Sequence, residues 1–491
     1  MNKIKSILFL LIFWQSITNA QTHITFRKVL GNNGYDDGYS AKQTKDKGYI
    51  VGGSTSSFGN GNNDMFLIKT DSMGIPRNES TYGGINVDIG KCVRQTADNG
   101  YIFVGYTNSF GAGGYDVYLV KTDSSLQTQW TKTYGGTNWD FGNCVEQTSD
   151  GGYIICGSTY SYGTGAADYY LIKTNSMGDT MWTKTFGDTL EDVANSVIQT
   201  TDGGYILTGT TKSMGDTLGD IYTIKTDSFG DTLWTKKFGG PLLDYGNDIL
   251  QTHTGDYIVG GETQNYGLGN SDGIIVKYSS SGIFMNMYTI GLAAYDNINS
   301  IAEDAEGKIA MTGATESYGF GGGKPDMYFF IVHSDFTYFN STTYGTTSSD
   351  NGFSVETTAD SSFIICGITN GFTNGLDHIY LIKTDTMGFS GSTGSESVFT
   401  TNIQDYASIQ KDFTMFPNPA NNSVYINFKN NMANSVYNIS ITDVIGKEIK
   451  HFAEEAKTLL TINTNDLKDG IYLITLRNKD FSTTEKLIVH H

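Results

Sequence analysis

Seven copies of one pattern follow each other along this chain at an almost constant spacing. Aligned on the residue that opens one apolar segment, they start at Tyr49, Tyr101, Tyr153, Tyr205, Tyr257, Ile309 and Phe363. The first five intervals are 52 residues and the last is 54. A unit of this length cannot bury its own apolar faces, so copies must either stack as a solenoid or close into a ring. The 491 residues include 60 Gly and 5 Pro, and 13% are aromatic. That balance suits short strands joined by tight turns.

One copy shows how the unit is built. Residues 142–148, 152–159, 168–174 and 182–186 read as four strands, called a, b, c and d here. The a–b link Ser149-Asp150-Gly151-Gly152 and the c–d link Ser176-Met177-Gly178-Asp179 have tight-turn chemistry, because Gly supplies positive φ without steric cost. The b–c and d–a links are longer and rich in Gly. Four antiparallel strands repeated seven times predict an all-β, seven-bladed β-propeller. The ends support a ring over a solenoid. The segment Thr25–Leu30 aligns with strand d at Gln129–Tyr134, and the last copy stops after strand c at Leu381–Asp385. The early segment therefore supplies the missing strand of the last blade and leaves no open sheet edge.

The runs Gly165–Gly178 and Trp130–Asp140 resemble the SBBP family of β-propeller repeats, over about residues 25–388. The resemblance implies the fold and use outside the cytoplasm. It implies no ligand, since propellers host unrelated activities.

In such a blade the two long loops lie on one face and the two hairpins on the other. Length changes also fall in the long loops, in 319–326 and before Asp377. Variable loops on a rigid frame are where binding residues are expected. Two loop positions carry Asp in every copy. One holds Asp64, Asp116, Asp168, Asp220, Asp272, Asp326 and Asp377; the other holds Asp36, Asp88, Asp140, Asp192, Asp244, Asp296 and Asp350. Such carboxylates pin loops by accepting backbone N–H bonds. The competing reading is a Ca²⁺ site made by pairs of them with loop carbonyls, the candidate set being Asp36, Asp64, Asp88, Asp116, Asp140, Asp168, Asp192 and Asp220. Calcium is the one cofactor this pattern suggests. Beside the second Asp stands a slot that does not repeat: Tyr35, Val87, Trp139, Glu191, Leu243, Tyr295 and Ser349. Tyr35, Trp139, Glu191 and Tyr295 are the candidate ligand-binding residues, the aromatic ones suited to stacking on sugar rings or on a partner side chain.

Other function classes find little support. Net charge is −19 and the pI is near 4.7, which argues against nucleic acid as a partner. The seven histidines have no ligand spacing, and no nucleophile elbow or phosphate loop stands in a suitable context. No catalytic residue is assigned. A glycosidase would need two unlike carboxylates at reacting distance, and the non-recurring acids Glu191, Glu262 and Glu316 lie in different blades. Cys92 and Cys144 share one repeat slot and Cys156 and Cys366 another; both read as small packing positions, with a Cys144–Cys156 bridge as the alternative.

The first 20 residues read as an export signal: Lys3 and Lys5, the apolar run Ile7–Trp14, then Thr18-Asn19-Ala20. No segment is long enough to span a bilayer as a helix. The propeller is expected over 21–388, a polar linker over 389–411, and a small immunoglobulin-like β-sandwich over 412–491. In the last part, Phe416-Pro417-Asn418-Pro419-Ala420, the run 441–447 with Asp443 and Gly446, the run 467–473 with Gly470 and Tyr472, and the run 485–489 with Lys486 resemble the type A sorting domain of type IX secretion. The resemblance implies a Bacteroidota source, the type IX machinery as a partner, and a location outside the cell or on the outer-membrane surface. The sequence thus reads as an exported, monomeric binding or adhesion module for a glycan or surface protein. The alternatives are a carbohydrate-active enzyme and a structural surface-layer component. Deleting residues 412–491 is expected to trap the protein in the periplasm, as read by cell fractionation; release into the medium would refute the sorting assignment.

Overall fold

A computed structural model describes residues 24–214, 218–319, 324–372, 375–390, 397–400, 413–416, 420–428, 436–443, 447–455, 459–477 and 482–490. The export-signal segment and the motif residues Pro417, Asn418, Pro419 and Gly446 lie outside the described residues, as does most of the two-residue insertion in the sixth copy.

The chain divides into two compact units, 1–402 and 403–491. The first is a seven-bladed propeller. Blade 1 comprises strands a Asp36–Gln43, b Tyr49–Thr55, c Asp64–Thr70 and d Pro76–Tyr82, hydrogen-bonded in that order, and blades 2 to 6 repeat it. Blade 7 takes strands a to c from 350–383 and its strand d from Phe26–Gly31, which pairs antiparallel with His378–Lys383. Circular closure therefore holds. The segment expected to be a linker departs from that reading: Ser397–Thr400 adds a fifth strand, parallel to Phe26–Gly31, because strand d of the closing blade leaves its outer edge free to pair.

Burial follows strand position. Strands b and c are covered on both faces by neighbouring blades, so Tyr153–Thr159 and Asp168–Thr174 are buried at every residue. Their sequences are accordingly near-continuous apolar runs. Strand d is the rim and alternates, as in Thr180–Phe186, where Trp182 packs inward and its neighbours face solvent.

Three inter-blade contacts recur. On the rim, the aromatic ring of strand d covers the c–d turn of the next blade. The ring of Trp182 lies where a Cβ on Gly230 would approach to 2.7 Å, and Gly230 has φ +78°. On the hairpin face, Gln side chains of one blade accept a main-chain N–H of the previous one, as in Ser149 N to Gln199 Oε1 (2.7 Å) and Thr201 N to Gln251 Oε1 (2.9 Å). The same bond runs across the closure, from Ala359 N to Gln43 Oε1 at 2.8 Å.

The third contact lines the axis. Strand a is bulged, as between Gly142 and Cys144, and the skipped residue turns its side chain toward the centre. In blades 3 to 6 that residue is Asn, and each amide donates to the main chain of the following blade: Asn143 to Ala194 O, Asn195 to Gly246 O, Asn247 to Ile298 O and Asn299 to Gly352 O, at 2.8–2.9 Å. Around the closure the position changes to Phe353, Tyr39 and Lys91. There the two rings are 5.1 Å apart and the Lys91 ammonium sits 3.9 Å from the Tyr39 ring centroid.

The second unit has a three-stranded sheet (413–416, 423–428, 459–463) and a four-stranded sheet (436–443, 448–455, 470–477, 482–489). Val424, Ile426, Ile439, Ile441, Ile474, Leu476 and Leu487 form its core. This is the expected sandwich, and Asp443, Gly470 and Lys486 lie on its strands. Tyr472 reaches back to the Lys468 carbonyl at 3.0 Å. No described helix is long and apolar enough to cross a membrane.

Two turn glycines separate backbone strain from blade packing. Gly151 has φ +81° and nothing within 4 Å of a Cβ position, whereas Gly230 meets Trp182. Gly151→Ala is expected to lower stability by about 1–2 kcal/mol through φ alone. Gly230→Ala should lower it by a further ~1–3 kcal/mol through overpacking, measured by urea unfolding. Equal losses would remove the rim contact from the account.

Candidate functional site

The face bearing the long loops is held by one device that recurs in blades 1 to 6 and in altered form in blade 7. Strand a opens on Asp, strand b closes on Thr, and strand c opens on a second acidic position, which brings all three to the same end of the blade. Asp140 shows the full set: its carboxylate accepts the Thr159 hydroxyl, the Ser161 hydroxyl at 2.6 Å and the Gly136 N–H at 2.9 Å. The same donors recur around Asp36, Asp88 and Asp296. The strand-c Asp accepts loop N–H groups, as in Thr164 N to Asp168 (2.7 Å) and Ala112 N to Asp116 (3.0 Å). Between each such pair lies a glycine. A Cβ on Gly135 would sit 2.2 Å from Asp116 Oδ1 and 2.6 Å from Asp140 Oδ2, so no other residue fits.

The candidate calcium ligands Asp36, Asp64, Asp88, Asp116, Asp140, Asp168, Asp192 and Asp220 are each at most 2% exposed. Hydroxyl and amide hydrogens bond seven of them and the Lys237 ammonium pairs with Asp220 at 3.0 Å, so these donors claim lone pairs a cation would need. Calcium takes six to eight oxygens. Among the described residues no three His, Cys, Asp or Glu side chains converge into such a cage. The geometry favours loop pinning, and millimolar Ca²⁺ is expected to leave the melting temperature unchanged.

The closing blade departs from the device twice. The repeat pattern places Asp377 in the strand-c slot with a one-residue loss. Instead Thr369 pairs with His378 at the spacing Thr159 and Asp168 have, so nothing is lost and His378 takes the slot. Its ring nitrogens face the carbonyls of Asn32 (2.6 Å) and Leu376 (3.1 Å), fixing the closing strand through imidazole where the other blades use carboxylate. Asp377 supplies only a main-chain carbonyl, which accepts the Asp36 N–H at 2.9 Å. The second departure is Gly371, which stands where the other blades carry Ser or Asn donors such as Ser161 and Asn265. Asp350 keeps the Thr346 N–H and hydroxyl, at 2.8 and 3.3 Å, and the Thr369 hydroxyl beside it. Burial without the Ser or Asn donor pushes its carboxyl up to about 6.

The non-repeating slot occupies the pinned surface. Tyr35 and Trp139 are exposed at 53% and 54%. Tyr35 stands by itself, its N–H on the Ser56 hydroxyl at 2.8 Å. Trp139 belongs to a cluster that the slot alone did not reveal. Tyr106, Tyr115, Phe141 and Tyr160 surround it with centroid separations of 4.9–6.5 Å, mostly edge to face. These four also sit in positions that differ between copies, occupied in the next blade by Ser158, Ala167, Val193 and Lys212. The signal was present, but spread over four columns.

Trp139 and Glu191 are joined through Tyr160, whose hydroxyl donates to Glu191 Oε1 at 2.9 Å. Lys212 pairs with the other Glu191 oxygen at 2.6 Å and holds that carboxyl below its usual range. Burial and the neighbouring Glu191 push the Tyr160 phenol up to about 12. Tyr295 lies elsewhere, half-buried, donating to Glu262 Oε2 at 2.9 Å, while Ser271 donates to the other Glu262 oxygen at 2.6 Å. Glu262 is thereby satisfied and only 7% exposed.

Comparisons bear on the two units separately. Residues 414–490 match the family described as the secretion system C-terminal sorting domain. The chain thus carries a type IX sorting domain and is exported to the cell surface or the extracellular space. No curated protein matches the chain by sequence. Among solved structures, Sqt1 from Chaetomium thermophilum is 12% identical at TM-score 0.43, covering 76% of this chain and 86% of that one. YCF48 bound to D1 peptide is 10% identical at TM-score 0.41, covering 74% and 96%. The β-propeller domain of the Trilobed protease from Pyrococcus furiosus is 8% identical at TM-score 0.37, covering 74% and 95%.

Asp350 yields a pH test. Its folded pKa of about 6 exceeds the unfolded value near ~3.9, so between these values the folded chain binds more protons and its stability falls as pH rises. The difference between wild type and Asp350→Asn should therefore shift by on the order of 2 kcal/mol between pH 4 and pH 7, favouring the variant at pH 7. Parallel stability–pH curves for the two proteins would refute it.

Proposed function

We propose that the protein is a sorted surface or secreted binding module whose ligand is a glycan, held on the long-loop face against the ring cluster of blades 2 and 3. The observation that carries this reading is the five-ring group Tyr106, Tyr115, Trp139, Phe141 and Tyr160, with an exposed Trp at its edge. Sugar C–H faces pack on such rings, while hydroxyls need nearby charged or amide groups. The Glu191–Lys212 pair, reached through Tyr160, supplies acceptor and donor together. The wider setting supports the same reading. The Asp–Thr–Ser pins around Asp88 and Asp140 fix the loops that carry these rings, so the variable residues are presented with little entropy left to lose on binding.

Binding is preferred over hydrolysis on the state of the carboxylates. Glu191 is ion-paired and held ionised, so it is not set up as a protonated general acid, and both Glu262 oxygens are taken by the Ser271 and Tyr295 hydroxyls. Signal-directed passage through the inner membrane, a Bacteroidota source and the monomeric state belong to the same proposal. It rests on the segment before Gln21, the sorting motifs and the charge of −19.

A glycan array on the full chain tests this. Saturable binding is expected, and Trp139→Ala should weaken it roughly tenfold or more while the melting temperature is kept, because the ring is exposed. Binding unaffected by Trp139→Ala would move the site elsewhere. No saturable glycan on the array would remove the reading.

A further inference from the structure

Sequence slots made Cys92 and Cys144 look like small packing residues, but the fold gives them a shared position on the axis. Both stand just after the bulge of strand a, in adjacent blades, with Sγ atoms 3.7 Å apart. In other blades this slot holds Ser or Asp, and its side chain accepts an N–H of the following blade: Ser40 from Val93 and Ser354 from Ala41, both at 3.3 Å. Cys92 does the same for Val145 at 3.4 Å. A sulfur that receives an N–H and lies beside a second thiol is better placed to carry charge than to pack.

The surroundings agree. A cavity of about 110 Å³ on the axis is lined by Cys92 and Cys144 together with Lys91 and Arg94. The sulfur contact with Cys144 holds the Cys92 thiol down despite burial, with Arg94 and Lys42 adding positive potential. The Cys144 thiol is pushed up by its neighbour and by burial. Cys156 and Cys366 differ: both are fully buried and burial raises them. Cys144 and Cys156 are cross-strand partners, yet the short sulfur contact runs to Cys92.

We propose that Cys92 and Cys144 form a peroxide-reactive dithiol whose oxidation staples blades 2 and 3 with a disulfide. The Cys92 thiolate attacks one oxygen of a small peroxide, the O–O bond breaks, and hydroxide leaves to take up the proton that Cys92 had shed. The resulting Cys92 sulfenic acid is then attacked by Cys144. The S–O bond breaks, and the departing hydroxide leaves as water with the Cys144 proton. Two thiols are oxidised to one disulfide and one hydrogen peroxide is reduced to two waters. The cavity admits a molecule of that size, since it exceeds several-fold the ~10–15 Å³ of probe volume that a water needs.

The test uses the full chain, purified reduced, then titrated with hydrogen peroxide. Remaining thiols are alkylated and the peptides read by mass spectrometry. Two of the four cysteines are expected to be lost together, in a cross-link joining the Cys92 and Cys144 peptides. Cys92→Ser and Cys144→Ser use the residue that Ser40, Ser196, Ser300 and Ser354 show the slot accepts. In Cys144→Ser the sulfenic acid on Cys92 should persist and be trapped by dimedone; in Cys92→Ser Cys144 should stay reduced. A Cys144–Cys156 cross-link would overturn the proposal. So would four thiols that survive peroxide, or over-oxidation of Cys92 without a cross-link.

Discussion

Every apolar strand of the propeller is buried by the blade beside it, so the structure depends on the ring having no end. Pairing of Phe26–Gly31 with His378–Lys383 meets that condition. Without it strand c of the last blade would expose its main-chain groups, and the faces of blades 1 and 7 would lack covers. The closure is strengthened where it would otherwise be an ordinary seam. Lys42 pairs with Glu356, Gln43 accepts the Ala359 N–H, Tyr39 packs on Phe353, and His378 bonds the Asn32 carbonyl. The axis therefore changes chemistry at this seam, from an amide ladder in blades 3 to 6 to aromatic and charged contacts in blades 7, 1 and 2.

A ring of near-identical units has a second consequence. Groups that hold the loops recur around the ring with few exceptions, and any group that selects a ligand must break the repeat. The carboxylate pins belong to the first kind: buried, most of them bonded to donors from their own loops, and separated by glycines that admit no side chain. Under the proposed function Trp139 and its surrounding rings belong to the second. Because the pins consume the recurring acids, the proposed ligand chemistry is assigned to the positions around them, which the rings and the Glu191–Lys212 pair occupy. The axial cysteines break the repeat too. They replace hydroxyls in a ring of inter-blade acceptors, which adds reactivity without giving up the structural bond.

The amino-acid sequence alone determined the seven blades, the strand order within each, the closure and the sandwich of the last 80 residues. These follow from local patterning: apolar runs for covered strands, Gly turns at fixed offsets, and complementary truncation at the ends. It also isolated Trp139 and Glu191, since a column that varies beside an invariant Asp is visible without coordinates. What only tertiary structure decided depends on contacts between copies. Equivalent residues 52 apart become neighbours around an axis, so the Cys92–Cys144 contact joins one column to itself, whereas a sequence comparison reads a column as seven separate positions. The ring cluster required four columns to converge at one blade junction. The exchange of Asp377 for His378 turned on a strand register, set by backbone hydrogen bonds with Thr369 that no residue type announces.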